Sequence, residues 1–307
     1  MRNAFANELT KLAQENNEIV LLSGDIGNRM FDDFKNKAPN RFYNCGIAES
    51  NMMSMAAGMA LSGLKPFVYT ITPFTTLRCL EQIKVGVAYH DAPVTIVGTG
   101  SGLSYAELGP THHSLEDIAV IRSIPGIRVL APSDRSELVY QLRESVQYPA
   151  PTYIRIGKKG EPSLFNQKDH VLGIGKGNTI MEGNEILILG IGPIINEALH
   201  AAQELEEEGY SISVASMGSV RPLDEGFLRK MVNRNFKHWI TIEEHGLTGG
   251  FGTTILEWLL ENNLLQSINF NRLGIKNEFI HELGNQHFVR NKLKIDNEGI
   301  KNFIKIL

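Results

Sequence analysis

The sequence predicts two α/β domains, each with a mostly parallel sheet flanked by helices. The candidate strands are continuous apolar runs without clean alternation, which is typical of a parallel sheet covered by helices on both faces. Helical patterns separate most of these strands along the chain. At 307 residues, the chain is also long enough to form two hydrophobic cores.

A helix and a strand are predicted to open the first domain. Apolar residues recur at helical spacing across residues 3–16, and residues 18–23, EIVLLS, indicate a short buried strand. The remaining strand candidates of this half are 41–45, 66–71, 93–98, 127–132 and 151–156.

The second domain repeats the same order of elements. Residues 157–180 are rich in Gly and Lys and lack sustained periodicity, so we place the interdomain linker at 161–180. The domains are then predicted at 1–160 and 181–307. The elements predicted for the second domain are strands at 185–190, 211–216 and 239–244, with helices at 197–208, from Asp224, and after the glycines at 249, 250 and 252.

Composition excludes several classes of protein. The formal net charge of −4 provides no basic field for a nucleic acid or an anionic membrane. Cys45 and Cys79 are the only cysteines, so neither a disulfide framework nor a thiolate metal site is indicated. The N-terminus lacks an apolar signal core, and no stretch reaches 18 apolar residues. We therefore expect a cytoplasmic protein without nucleic acid or membrane partners.

The segment GIAESN, residues 46–51, leads from a predicted strand into a methionine-rich helix. Glu49 is expected at the helix start, where a carboxylate complements the helix dipole. Small residues on one side, and Met and Ala on the other, indicate a largely apolar pocket, in which a carboxyl group holds a proton more readily. On the residues alone, Glu49 is either a structural helix-terminal carboxylate or a group that holds and passes a proton.

Two long segments resemble the transketolase family, which includes the deoxyxylulose phosphate synthases. Residues 46–68, GIAESNMMSMAAGMALSGLKPFV, resemble the family's glutamate loop and following helix. Residues 109–134, GPTHHSLEDIAVIRSIPGIRVLAPSD, resemble its substrate loop and next strand. ITIEEHGLTGGFG, at 240–252, resembles the glycine-rich turn of the family's C-terminal domain. The resemblance spans nearly the whole chain and implies a pyrimidine-binding domain of a thiamine diphosphate enzyme, followed by a transketolase C-terminal domain.

The resemblance also implies roles for individual residues. Glu49 matches the glutamate that activates the cofactor by hydrogen bonding to its aminopyrimidine ring. Phe74 would stack on that ring, and Asp25 matches an acidic residue at the end of the first strand; their alternatives are a core phenylalanine and a turn aspartate. His112 matches the histidine of the GPTH motif, which faces the substrate's oxygens. His113, at a position of variable identity, is a weaker substrate-binding candidate.

Arg2, Arg78 and Arg155 occupy positions at which some family members bind a sugar phosphate, and the planar fork of arginine suits phosphate oxygens. The alternative for each is a surface or salt-bridged arginine. Two positions depart from transketolases proper. Gly100 stands in place of a phosphate-contacting histidine, and Leu108 in place of an aspartate that reads hydroxyl configuration. We therefore expect a less polar substrate pocket than in a pentose phosphate transketolase.

The motif that holds Mg²⁺ and the diphosphate in thiamine enzymes is missing. SGDIGN, residues 23–28, lacks the second glycine of a GDG motif and aligns with the first strand of the pyrimidine domain instead. The resemblance thus implies an N-terminal partner subunit that holds the diphosphate and Mg²⁺, in an α2β2 heterotetramer. No metal ligand is predicted in this chain, and Glu243, Glu244 and His245 are expected to be structural or interfacial.

The leading functional hypothesis is ketol transfer. With its partner subunit, the chain would bind thiamine diphosphate and move a two-carbon unit from a ketose, with or without a phosphate group, to an aldehyde. One alternative is the β subunit of a 2-oxoacid dehydrogenase, which shares the fold and the glutamate. Another is a non-catalytic regulatory subunit that kept the fold.

Overall fold

The structure is a computed structural model that describes residues 1–27, 29–165 and 170–307. Asn28 of the SGDIGN segment and residues 166–169 of the predicted linker lie outside the described residues. The helices are α1 (Arg2–Glu15), α2 (Asp32–Lys37), α3 (Glu49–Leu61), α4 (Thr72–Thr75), α5 (Asp117–Arg122), α6 (Arg135–Gln147), α7 (Ile195–Glu207), α8 (Glu225–Asn233), α9 (Phe251–Glu261), α10 (Gln286–Leu293) and α11 (Asn297–Ile304). The strands are β1 (Ile19–Ser23), β2 (Phe42–Asn44), β3 (Lys65–Ile71), β4 (Thr95–Thr99), β5 (Arg128–Leu130), β6 (Thr152–Ile156), β7 (Asn178–Met181), β8 (Ile186–Gly190), β9 (Ile212–Ser216), β10 (Ser219–Arg221), β11 (His238–Gly246) and β12 (Asn269–Ile275).

The first sheet has seven strands in the order β10-β5-β6-β4-β3-β1-β2. All neighbouring strands from β5 to β2 run parallel. Every residue of β1, β4 and β6 is buried, as expected for strands covered on both faces. The seventh strand, β10, comes from the second half of the chain and pairs antiparallel with β5.

The second sheet has five strands in the order β12-β11-β8-β9-β7. Only its edge strand β7 runs antiparallel to its neighbour. The two sheets confirm the predicted fold class of two α/β domains with mostly parallel sheets. Neither β7 nor β10 was predicted, because both are short edge strands that lack a continuous buried apolar run. Strand β7 begins at Asn178, ahead of the start that the sequence suggested for the second domain.

The order of the first sheet creates a crevice at its carboxyl edge. The chain moves from β1 outward to β2, then crosses back to β3 on the other side of β1. Open α/β sheets bind ligands outside the carboxyl ends of the strands at such a reversal. The loop that leads to Glu49 follows β2, and the segment with Phe74 follows β3. The fold therefore brings the predicted cofactor-binding residues to one edge of the sheet.

The second domain carries a buried polar cluster of its own. Glu243 accepts hydrogen bonds from the backbone N–H groups of Phe251, at 2.6 Å, and Gly252, at 2.8 Å, where α9 begins. Burial raises the pKa of Glu243 to about 7 and lowers the pKa of His245 to about 4. Within the described ranges, no group of three or more His, Cys, Asp or Glu residues could hold a metal ion. In the same ranges, the helices are too short or too polar to cross a membrane.

Candidate active site

Glu49 is the first residue of α3, and its carboxylate is only 3% exposed. The preceding loop turns at Gly46, whose φ of +67° lies in the left-handed region that favours glycine. Gly24, at the end of β1, has no side chain between the strand and this carboxylate. A Cβ at Gly24 would lie 3.5 Å from Glu49 Cγ and 3.1 Å from Thr70 Oγ1. Thr70 Oγ1 is buried and has no hydrogen-bond partner among the described residues.

Arg78 joins Glu49 to Phe74. Arg78 Nη1 donates a hydrogen bond of 2.8 Å to Glu49 Oε2. The guanidinium carbon of the same side chain lies 4.3 Å from the centre of the Phe74 ring, which is a cation–π distance. Arg78 lies on the short turn Leu77–Cys79, and its side chain is 45% exposed. The ion pair therefore lies at the solvent-facing side of a buried carboxylate.

His112 is next to Phe74. Their ring centres are 5.3 Å apart at an interplanar angle of 69°, an edge-to-face contact. His112 Nδ1 lies 2.9 Å from Thr111 Oγ1. Burial and the neighbouring His113 both lower the pKa of His112, so the imidazole is neutral at pH 7 and has one donor and one acceptor nitrogen. Glu49, Phe74, Arg78 and His112 thus form one connected cluster.

Arg2 is connected to this cluster only indirectly. Its Nε donates a hydrogen bond of 2.6 Å to the carbonyl oxygen of Lys158. Lys158 Nζ lies 4.4 Å from the centre of the Tyr105 ring, and that ring lies 6.1 Å from the His112 ring. Arg2 therefore reaches His112 through two intermediate residues and not by direct contact.

Asp25 supports the loop of Glu49 from the side. It is exposed, and its φ is +54°. Asp25 Oδ1 accepts a hydrogen bond of 2.9 Å from Asn44 Nδ2, and Asn44 Oδ1 accepts one of 3.0 Å from the Gly46 N–H group. These contacts tie the ends of β1 and β2 together, which favours the turn-aspartate interpretation of Asp25.

His113 and Arg155 point into the protein. His113 Nε2 lies 3.3 Å from the carbonyl oxygen of Ala106. Arg155 is 3% exposed and donates from Nε to Asp117 Oδ2 at 2.7 Å. Its Nη2 donates to the carbonyl oxygens of Ser114, at 2.8 Å, and Glu244, at 2.9 Å. Because these groups occupy its guanidinium, the contacts argue against the sugar-phosphate role suggested for Arg155 and favour a structural one.

The sequence reasoning missed Tyr105. A Cβ at Gly100 would lie 2.0 Å from Tyr105 Cε2, so the tyrosine ring fills the space beside this glycine. This is the position at which transketolases proper carry a histidine. The only signal in the sequence was that glycine, which showed that a histidine was missing without naming what replaced it. Leu108, at the other departure, is 53% exposed.

The family assignment comes from comparison with known proteins. Residues 1–161 match the model of the transketolase pyrimidine-binding domain, and residues 175–300 match the model of the transketolase C-terminal domain. The chain belongs to the transketolase family. The family resemblance expected from the GIAESN and GPTHH segments is thereby confirmed.

Relatives of this transketolase-family chain include whole subunits and larger enzymes. The B-type subunit of the apulose-4-phosphate transketolase of Phocaeicola vulgatus is 36% identical over 300 residues, which are 97% of this chain and 94% of that protein. The 1-deoxy-D-xylulose-5-phosphate synthase of Syntrophus aciditrophicus is 37% identical over 298 residues, but these make up only 45% of that protein. A solved structure described as a split-gene transketolase, inactive β4 tetramer, superposes with a TM-score of 0.87 at 30% identity and covers 99% of this chain and 96% of that chain.

The site residues fit one half of the cofactor of this thiamine-diphosphate-dependent family. The half-buried Phe74 ring can stack on a flat ring, and the Glu49 carboxylate can hydrogen-bond to a ring nitrogen. Gly24 keeps the end of β1 clear of that carboxylate. The described residues provide no matching cluster for a diphosphate-bound metal. The fit is therefore to the aminopyrimidine ring and not to the diphosphate.

Proposed function

We propose that this chain is the C-terminal subunit of a split transketolase-like enzyme. Together with an N-terminal subunit, it would bind thiamine diphosphate and transfer a two-carbon ketol unit from a ketose to an aldehyde. The observation that carries the proposal is the connected cluster of Glu49, Phe74 and His112 at the carboxyl edge of the first sheet. The family of the chain and its similarity to one subunit of a two-subunit transketolase support the same assignment.

The chain's own residues would perform three tasks. Phe74 would hold the aminopyrimidine ring, and Glu49 would hold or donate a proton at a nitrogen of that ring. His112, neutral at pH 7, would donate a hydrogen bond to a substrate oxygen that gains negative charge. The bound cofactor supplies a thiazolium ring that stabilises a carbanion equivalent during carbon–carbon bond cleavage.

We propose that the partner holds the diphosphate and Mg²⁺, and that the assembly is an α2β2 heterotetramer. A protein that this chain matches over 97% of its length is named as the B-type subunit of a transketolase, which supports a complementary partner subunit. The solved relative described as an inactive β4 tetramer supports the expectation that this chain is inactive without that partner.

The substrate class is proposed as a sugar or sugar phosphate. The relative named for apulose-4-phosphate favours a phosphorylated sugar, and the exposed Leu108 favours a less polar pocket than that of a pentose phosphate transketolase. Arg2 and Arg78 stay predicted phosphate ligands. The cytoplasmic location and the lack of nucleic acid and membrane partners also stay predictions from the sequence.

The decisive experiment compares cofactor binding by this chain alone with binding by the chain co-purified with its partner. Calorimetry with thiamine diphosphate and Mg²⁺ is expected to detect tight binding only for the complex. Tight binding by the chain alone would refute the shared site. A panel of ketose and ketose phosphate donors with aldehyde acceptors then tests the reaction itself.

Glu49→Gln in the same complex should lower turnover about 100-fold or more, because the carboxyl group's proton transfer is lost. Glu225→Gln is the matched control, since Glu225 is also the first residue of a helix but is exposed and lies in α8. Undiminished turnover in Glu49→Gln would favour the non-catalytic alternative. Decarboxylation of a 2-oxoacid, with transfer to a lipoyl group, would favour the dehydrogenase alternative.

A further inference from the structure

Arg78 uses its own side chain to make both contacts that the proposed site offers to a flat, nitrogen-containing ring. Its Nη1 donates to the Glu49 carboxylate at 2.8 Å, as a protonated ring nitrogen would. Its planar guanidinium lies 4.3 Å from the centre of the Phe74 ring, which is also a stacking distance. A guanidinium and an aminopyrimidine ring therefore compete for the same carboxylate and the same aromatic ring.

We propose that Arg78 is a place-holder for the cofactor's ring. It pairs with Glu49 and covers Phe74 until the aminopyrimidine ring binds, and its side chain has to swing out for that ring to enter. The inference rests on the proposed function and concerns the same site. It assigns Arg78 a role in cofactor entry, in place of the sugar-phosphate role suggested by the sequence.

The burial of the two partners explains why the arginine is the one that leaves. The Glu49 carboxylate is 3% exposed, whereas the Arg78 side chain is 45% exposed. A buried carboxylate without a partner is costly, so a cation that covers it stabilises the chain before the cofactor arrives. The Arg78 side chain can instead rotate into water at little cost, because exposed ion pairs and exposed cation–π contacts are both weak.

The backbone of Arg78 is held in place independently of its side chain. Its carbonyl oxygen accepts a hydrogen bond of 3.2 Å from Ser50 Oγ. The adjacent Cys79 is buried, and its Sγ donates to the carbonyl oxygen of Phe74 at 3.2 Å. Exchange of the guanidinium for the ring thus needs a side-chain rotation and no rearrangement of the turn Leu77–Cys79.

The test measures cofactor affinity in the complex with the partner subunit. Arg78→Ala is expected to bind thiamine diphosphate with Mg²⁺ about three- to tenfold more tightly than the wild type, since only weak contacts are displaced. Arg78→Lys keeps the charge without the planar group and should lie between the two. Calorimetry gives the dissociation constants without any measurement of turnover.

Two comparisons make this result specific. Pyrophosphate with Mg²⁺ lacks the ring, so its affinity should be the same in wild type and Arg78→Ala. Arg229→Ala is the matched control, because Arg229 is also exposed, lies 5.8 Å from the centre of the Trp258 ring and pairs with Glu225 at 3.8 Å. It should leave the affinity for thiamine diphosphate unchanged.

The outcomes separate this inference from the proposed function. If the wild-type complex binds no thiamine diphosphate, the proposed function itself fails. If the wild type binds it and Arg78→Ala binds it equally or more weakly, the place-holder role is refuted and Arg78 is a permanent part of the site. A raised KM for phosphorylated donors alone, with unchanged cofactor affinity, would return Arg78 to the sugar-phosphate role.

Discussion

Replacement of Arg155 by Met tests whether this buried arginine is structural. The change removes a charge whose side chain is 3% exposed and leaves Asp117, which is 1% exposed, without its ion-pair partner. It also removes donors from the carbonyl oxygens of Ser114 and Glu244. Breaking a buried ion pair by removing one partner costs about 3–5 kcal/mol, because the other charge stays buried and uncompensated. We expect a loss of this size in the free energy of unfolding.

The loss should depend on pH. Burial alone would raise the pKa of Asp117, but Arg155 and other neighbours hold it below its usual value. A depressed carboxylate pKa contributes stability that is present above the unfolded-state pKa and is lost as the pH falls through the folded-state pKa. The difference between Arg155→Met and the wild type should therefore be largest near neutral pH and should shrink in acid.

The assay is urea unfolding followed by circular dichroism, with the shift in midpoint compared between variants. Arg122→Met is the matched control, because Arg122 makes a two-pronged ion pair with Glu257, at 2.7 and 2.8 Å, whose carboxylate is 49% exposed. Its loss should cost only about 1 kcal/mol. A stability of Arg155→Met equal to that of the wild type, together with a raised KM for phosphorylated donors, would refute the structural role.

Two further predictions concern Gly100 and Glu137. Gly100→Ala should destabilise the chain by about 1–3 kcal/mol, because its Cβ would overlap the Tyr105 ring. Gly126→Ala, which has a similar φ but open space around it, should cost less, and an equal loss in both would contradict the overlap. Burial raises the pKa of Glu137 to about 8, so the folded state keeps a proton that the unfolded state releases. Between pH 5 and 8 the wild type should lose up to about 1 kcal/mol per pH unit relative to Glu137→Gln in urea unfolding, and parallel pH profiles would contradict this.

The elements that the sequence predicted well are those with a strong local pattern. The buried strands β1, β4 and β6 are continuous apolar runs, and α3 begins at Glu49 in a segment that matched the family over many residues. Strands β7 and β10 escaped prediction because antiparallel edge strands are held by their neighbours and carry little pattern of their own.

The site was predicted as a set of residues and not as a set of contacts. The motifs indicated Glu49 and His112, but the ion pair between Glu49 and Arg78 depends on how the turn after α4 folds back onto α3. An arginine within a strand looks the same in sequence whether it faces a ligand or a buried carboxylate. Only the packing of Asp117 against Arg155 distinguishes the two.

Strand β10 makes the two domains of this chain dependent on each other. It lies in the second half of the sequence, yet it covers the edge of β5 in the first sheet. One apolar core also runs through both halves, from Val20 and Met52 to Leu187 and Trp239. A fragment cut at the linker would expose an unpaired sheet edge and part of that core, and such surfaces promote aggregation. The two domains, although recognisable as separate families of sequence, behave as one cooperative unit when the chain folds.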